Sequence, residues 1–356
     1  MAGVSPWGRA SVAVARICQV GGDPYDLLER VADVVQQVVP HDGAAWSTVD
    51  PRTLLFTGAV VRALPEATCH PYYEHLFADD AVLPYASLAV GRQQAGSLHK
   101  VTQGRPQRTA LWRNVLEPFG YVDELRSTCT SRGHCWGTVS LWRARGAAPF
   151  DTPEIAFLGR IGSMVGGALR SAATLGPVVE TSDSEGCAVV LLDRDGKFLE
   201  ATGAGQRWLE DFVAGHDPSN RFSVLDYVRA LGAHVPKGQS ATTRLSGPDR
   251  RWHTLQASAL TNGGTAVVIQ PSQPDELVDT LLLAYGLSPR EVEILCLICQ
   301  GLTSQEISAR LIISAHTARD HIKHILAKVG VTSRGELVAK LFTEHYWGSL
   351  QRTGRA

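Results

Sequence analysis

The chain has 356 residues, 44% of them apolar and 19% charged, with a formal net charge of -1. That length allows two or three domains, and the composition is that of a globular protein with sizeable cores. Near-zero net charge excludes a molecule that attracts nucleic acid through its whole surface, so any such charge must be local. No apolar run reaches the roughly 20 residues that span a bilayer. Met1–Ala10 lacks the charged-then-apolar pattern of an export signal, which predicts a cytoplasmic protein with no membrane contact.

In chain order, Gly21-Gly22-Asp23-Pro24 introduces a helix to about Val39, with Leu27, Leu28, Val31, Val34, Val35 and Val38 at helical spacing. Ala44–Val49 and Thr53–Thr57 read as a hairpin across Asp50-Pro51. Pro71–Phe77 and Gln107–Glu117 read as helical within an otherwise irregular middle. Cys135–Arg143 is rich in aromatic and β-branched residues and reads as a strand. A capped helix follows from Asp151 to about Ala173. This order, with the segment Gly133-His134-Cys135-Trp136-Gly137-Thr138-Val139-Ser140-Leu141, resembles a GAF-type sensor domain over residues 10–175. On the closing helix, Gly159, Gly162, Gly166 and Gly167 remove bulk beside the seam Leu158, Ile161, Val165 and Ala168. That seam packs either against its own sheet or against a copy of itself.

After Leu175-Gly176-Pro177, strands at Ala188–Asp193 and Lys197–Ala201 flank the turn signal Arg194-Asp195-Gly196. A helix at Gln206–Val213 and strands at Arg251–Ala259 and Thr265–Gln270 complete an α+β unit, which resembles a PAS-like domain over residues 183–271. Pro271–Pro274 reads as a linker.

Three Ser/Thr-x-x-Glu boxes then mark helix starts: Ser288–Glu291, Thr303–Glu306 and Ser333–Glu336. In each, a hydroxyl caps the helix and the carboxylate reaches back to the cap's own N–H. Pro289 takes the first helical position, where a missing N–H is harmless. A further helix runs from Ser314 to about Val329, behind the tight turn Ile312-Ile313-Ser314. Ile307, Leu311, Ile322, Ile325, Leu326, Val329, Leu337 and Leu341 are its core positions. Four short helices, with the second and third in a helix-turn-helix, form the only segment that states a function.

The string from Leu287 to Arg334 resembles the LuxR-type DNA-binding domain at many spaced positions, over residues 280–345. It departs at Ala318, where the family usually has a β-branched residue, and at Asp320, usually neutral or basic. The resemblance implies a transcription regulator whose partner is double-stranded DNA. It places Arg319, Asp320 and Lys323 against base edges in the major groove. An arginine there can fork onto guanine O6 and N7, and an aspartate can only accept, as from cytosine N4. Ser304, Gln305, Thr317, His324, Lys328 and Arg334 are the candidate phosphate contacts. Five basic against two acidic side chains over residues 316–340 make a modest stripe, so a homodimer is expected to supply affinity.

The whole is therefore a multidomain protein, two α+β sensor domains followed by an all-α four-helix domain. Neither a catalytic site nor a cofactor is expected. The chain has no Walker-A loop, Gly-x-Ser-x-Gly elbow or His-Glu-x-x-His. His41, His70, His75, His99 and His134 are not at ligand spacing, and His253 reads as a strand residue. The seven cysteines read as reduced thiols. Cys296-x-x-Cys299 is expected as small buried hydrophobes on the first helix of the last domain. Cys129, His134 and Cys135 cluster in sequence but lack a fourth metal ligand, so no metal site is expected. Trp46, Phe56, Trp112, Tyr121, Trp136 and Trp142 serve either as core or as the lining of a pocket for an unknown small molecule. Two other functions remain open: a sensor acting by protein–protein contact with a weak DNA-binding domain, and an enzyme within residues 10–175.

Overall fold

The computed structural model describes residues 5–76, 81–173, 187–194, 197–214, 240–246, 252–272, 280 and 282–345. Leu175-Gly176-Pro177, Asp195-Gly196, Phe77 and the linker residues Gln273 and Pro274 lie outside them. Contacts divide the chain into two compact units, Met1–Ala172 with Ser182–Pro271, and Ser272–Ala356 with Ala173–Thr181.

The first unit opens with α1 (Pro6–Val20), capped by the Ser5 hydroxyl, which accepts from Gly8 N–H at 3.1 Å. Its buried Ala10, Val14 and Ile17 fall at helical spacing. In α2 (Pro24–Gln36), Asp23 caps the N–H groups of Tyr25 and Asp26. Strands β1 (Gly43–Val49), β2 (Phe56–Arg62), β3 (Ala95–Ser97), β4 (Tyr121–Ser131) and β5 (His134–Ala144) form an antiparallel sheet of order β2-β1-β5-β4-β3. Its middle is not irregular. The eleven-residue β4 pairs along β5, and short helices α3 (Cys69–Leu76), α4 (Tyr85–Val90) and α5 (Leu98–Val101) accompany it.

Ser127 and Cys129 of β4 lie against α6 (Thr152–Ala172). The Cβ of any residue replacing Gly162 would lie 2.5 Å from Thr128 O, and one replacing Gly166 would lie 2.6 Å from the Cys129 carbonyl carbon. The glycines thus allow α6 to lie directly on its own sheet, and Trp7 of α1 meets Phe157 on α6 with ring centroids 5.0 Å apart. Of the two readings of the α6 seam, packing within the domain is the one realised.

Glu124 and Arg126 of β4 face the opposite way, towards α3 and α4, and carry a buried polar network. Glu124 Oε1 accepts from Tyr72 OH at 2.7 Å, Ser140 Oγ at 2.6 Å and Arg126 Nε at 2.8 Å. Trp142 Nε1 donates to Ser140 Oγ at 2.5 Å, and the Arg126 guanidinium lies 5.4 Å from the ring centroids of both Tyr72 and Tyr85. Burial pushes the Tyr85 hydroxyl up to about 12. Burial lifts the Cys129 thiol, on the α6 side, well above its usual value, and it lifts Cys135 to about 11, which makes both inert at neutral pH. Among the described residues, no group of three or more His, Cys, Asp and Glu is placed to hold a metal.

The second sheet repeats the strand order. Strands β6 (Ala188–Leu192), β7 (Phe198–Ala201), β8 (Ser240–Ser246), β9 (Trp252–Ala259) and β10 (Thr265–Pro271) run β7-β6-β10-β9-β8, all antiparallel. Helix α7 (Gly203–Ala214) follows β7, and its Trp208 ring meets His253 at 5.8 Å. The two sheets share one apolar cluster that includes Phe56, Tyr73 and Trp142 from the first and Val190, Leu255 and Ile269 from the second. Arg244 of β8 bridges to Asp50 at 3.1 Å, and Thr243 Oγ1 donates to Phe56 O at 3.4 Å. The α+β character expected for both segments is realised. Among the described residues no helix is long and apolar enough to cross a membrane.

Candidate nucleic-acid interface

The second unit contains α8 (Pro289–Cys299), α9 (Ser304–Leu311), α10 (Ala315–Val329) and α11 (Arg334–His345). The first two boxes form as expected: Ser288 and Glu291 exchange both hydrogen bonds, and so do Thr303 and Glu306. The third departs. Glu336 N–H donates to Ser333 Oγ at 3.1 Å, but the Glu336 carboxylate accepts from Thr332 N–H at 2.7 Å, one residue earlier than the cap. All the core positions named above are buried or packed against the cluster, and Ala318 is fully buried within it.

Cys296 and Cys299 are exposed, contrary to expectation. The stripe that enters the core is Glu291, Ile294, Leu295 and Ile298, with Leu297 beside it. The two thiols fall on the other side of α8.

Three basic residues lock the four helices. Arg290 of α8 donates to Leu311 O at the end of α9, at 2.9 Å. Lys328 near the end of α10 reaches back to Glu291 of α8 at 2.6 Å. Burial pushes the Glu291 carboxyl up, but Lys328 and the N–H and hydroxyl of Ser288 outweigh it and hold it below the usual carboxylate value. Arg334 at the start of α11 donates to Leu302 O at 2.9 Å and to Ser304 Oγ at 2.7 Å. Lys328, Arg334 and Ser304, all expected at phosphates, therefore have partners within the domain. Sequence spacing cannot reveal pairs separated by 30 to 37 residues.

Between α9 and α10 the chain turns at Ile312, whose φ of 53° and ψ of 48° are left-handed and whose side chain is 93% exposed. Ser314 then caps α10, accepting from Thr317 N–H at 3.0 Å, with its Oγ 2.9 Å from Thr317 Oγ1. The exposed residues of α10 are His316, Arg319, Asp320, Lys323, His324 and Ala327. Arg319 is exposed, and its Nε donates back to Ala315 O at 3.1 Å. Asp320 pairs one turn back, with His316 Nδ1 at 2.9 Å, and not with Lys323. His316 is a neighbour the sequence reading passed over, although its i, i+4 spacing to Asp320 was visible. Gln305 on α9 is exposed.

A capped, outward-facing helix held behind a tight turn by a buried four-helix frame defines a helix-turn-helix domain. Residues 286–341 match the family model for bacterial regulatory proteins of the luxR family, so the C-terminal domain is a LuxR-type helix-turn-helix. The transcriptional regulatory protein LiaR of Bacillus subtilis is 41% identical over 60 residues, covering 17% of this chain and 28% of its own length. The oxygen regulatory protein NreC of Staphylococcus aureus is 46% identical over 52 residues, covering 15% and 24%. The putative HTH-type transcriptional regulator Mb0914c of Mycobacterium bovis is 38% identical over 53 residues, covering 15% and 6%. The chain thus spans less than a third of the length of these relatives, all three of which are regulators by name and two of them transcriptional. Among solved structures, the GAF domain of an Acinetobacter phosphoenolpyruvate-protein phosphotransferase aligns with a TM-score of 0.32 at 13% identity, covering 48% of this chain and 96% of that one. SdiA in complex with octanoyl-rac-glycerol aligns at 0.36 and 14%, covering 98% of each chain. The two sheets are defined by their own strand orders, β2-β1-β5-β4-β3 and β7-β6-β10-β9-β8.

Proposed function

We propose that this chain is a ligand-responsive transcription regulator of the cytoplasm that binds double-stranded DNA as a homodimer and is not an enzyme. A GAF-like domain over residues 10–175 and a PAS-like domain over 183–271 sense; the domain over 280–345 reads the major groove with α10. The observation that carries this is the exposed start of α10, where Arg319, Asp320 and Lys323 project from a helix fixed by its cap and by the Lys328–Glu291 pair. Arg319 takes a guanine edge, Lys323 an adjacent acceptor, and Asp320, oriented by His316, a cytosine amino group. Gln305, Thr317 and His324 lie at the backbone, with Ser304 presented by Arg334. Lys328 and Arg334 serve this interface through the frame they hold.

Selection of random duplexes by the full chain, followed by binding at several salt concentrations, tests the reading. The expected result is an inverted repeat with half-sites about ten base pairs, or a multiple of that, apart, and affinity falling steeply with salt. No enriched sequence and no salt-dependent binding would favour a sensor that acts by protein contact alone.

A further inference from the structure

Two cysteines on α8 have no part in the interface described above. Cys296 and Cys299 occupy its last turn and are exposed, on the side away from the stripe Glu291, Ile294, Leu295 and Ile298 that enters the core. Cysteine is among the residue types most often found fully buried, so two exposed thiols one helical turn apart call for a reason. Three residues apart on a helix, they share a face, with Cβ atoms about 5–6 Å apart. Each is within electrostatic reach of the other. Partial burial of its sulfur, and after that the neighbouring Cys296, raise the Cys299 thiol above its ordinary value. A raised thiol stays protonated and reacts slowly with oxidants.

The spacing separates two chemistries. A disulfide needs Cβ atoms about 3.5–4.5 Å apart, so closing one would draw in the last turn of α8. That turn is fixed by Gln300 N–H on Cys296 O at 3.1 Å, Gly301 N–H on Ile298 O at 2.9 Å and Leu302 N–H on Leu297 O at 3.1 Å. A cation between the two sulfurs needs no such closure. At about 2.3 Å each, the length of a zinc–thiolate bond, the sulfurs stand up to about 4.6 Å apart.

The donor set then narrows the cation. Among the described residues, no third His, Cys, Asp or Glu joins the pair in a group that could hold a metal. Glu293, one turn before Cys296, is taken by Arg290 at 2.6 Å. Zinc fills a tetrahedron of four ligands, and hard cations ask for several oxygens. Two thiolates alone suit a soft monovalent cation, and copper(I) is the one that sulfur ligands select.

We propose that Cys296 and Cys299 form a two-coordinate site for copper(I) on the outer face of α8. Binding replaces both S–H protons: one cation joins two thiolates, two protons leave to solvent, and neither copper nor sulfur changes oxidation state. The site gives the C-terminal domain a metal input of its own, independent of what the first unit senses.

The test titrates the reduced full chain, without oxygen, with copper(I) held by the chelator bicinchoninate. The expected result is one copper withdrawn per chain, with two sulfur neighbours by X-ray absorption. Cys296→Ser and Cys299→Ser should each weaken binding by about 100-fold or more, because two thiolates on one helix act as a chelate. Both residues are exposed, so the serine variants should melt like wild type. Cys187→Ser, which removes the third exposed thiol, should bind copper like wild type. Zinc offered in the same way should not be retained. The proposal is overturned by no copper uptake, by single-serine variants that bind like wild type, by three or more sulfur neighbours, or by zinc held as tightly through these two residues. Rapid closure of a Cys296–Cys299 disulfide by hydrogen peroxide, with no copper uptake, would make the pair a redox switch instead.

Discussion

Arginine appears in two opposite settings in this chain. Arg126 is enclosed in the first sheet, with Nε and Nη1 committed to named acceptors and Nη2 left over. Arg319 stands on the open face of α10, where its Nε donates to Ala315 O. In the interior, low dielectric and full packing make each bond matter, so an unfilled one costs stability. On the surface the unfilled donors are merely hydrated, and their meaning comes from the helix that presents them. A buried arginine is defined by the bonds it makes; an exposed one is defined by its position.

The sharpest way to break the contrast is to remove the partner of the buried residue. Glu124→Ala leaves Arg126 charged and unpaired and strips Tyr72 and Ser140 of their acceptor. Chemical denaturation of the full chain should show the first unit destabilised by about 3–5 kcal/mol. Replacing both members, Glu124→Leu with Arg126→Met, should recover most of that stability. If the double variant were as unstable as the single one, packing and not the unpaired charge would be the cause.

The exposed arginine should behave differently. Arg319→Ala should leave the melting profile unchanged yet reduce affinity for the selected operator by about 1–3 kcal/mol and relax one base position. A uniform loss across all sequences would assign Arg319 to the phosphate backbone instead.

Legibility in the sequence follows the same division. The helices of the last domain were readable because capping boxes and core stripes are local patterns of three or four residues. Strand β4 was not, since Asp123, Glu124 and Arg126 within six residues of Tyr121 suggest a solvated loop. Their burial depends on Tyr72, Ser140 and the Val82 carbonyl, which only the tertiary fold brings near. The site on α10 was legible as a set of outward residues, but the partners of Lys328, Arg334 and Asp320 were not. Cys296 and Cys299 were misplaced for a simpler reason. An apolar-looking run does not identify its inner face until the stripe through Ile294, Leu295 and Ile298 is followed at 3.6 residues per turn.

A smaller effect concerns the turn that aims Arg319. A β-branched residue in the left-handed region is strained, and Ile312 gains almost no packing in return because its side chain is exposed. Ile312→Asn should therefore stabilise the helix-turn-helix by about 1 kcal/mol, read as slower amide exchange in α9 and α10, without altering the operator selected.

The smallest effect asks whether Lys328 belongs with the buried arginine or with the exposed one. Its ammonium meets Glu291, whose carboxyl is held below its unfolded pKa despite burial. A group depressed on folding contributes stability that is fully present above the unfolded value, about 4.3 for Glu. That contribution is lost as pH falls through the folded value. Wild type should thus lose amide protection in α8 as the pH drops below about 4.3. Lys328→Met should lose up to about 1 kcal/mol at neutral pH and show a flatter decline on acidification, because the depression it caused is gone. At constant salt its operator affinity should fall no further than that stability change explains. An undiminished acid response together with a salt slope smaller by about 1 would instead place Lys328 on a phosphate.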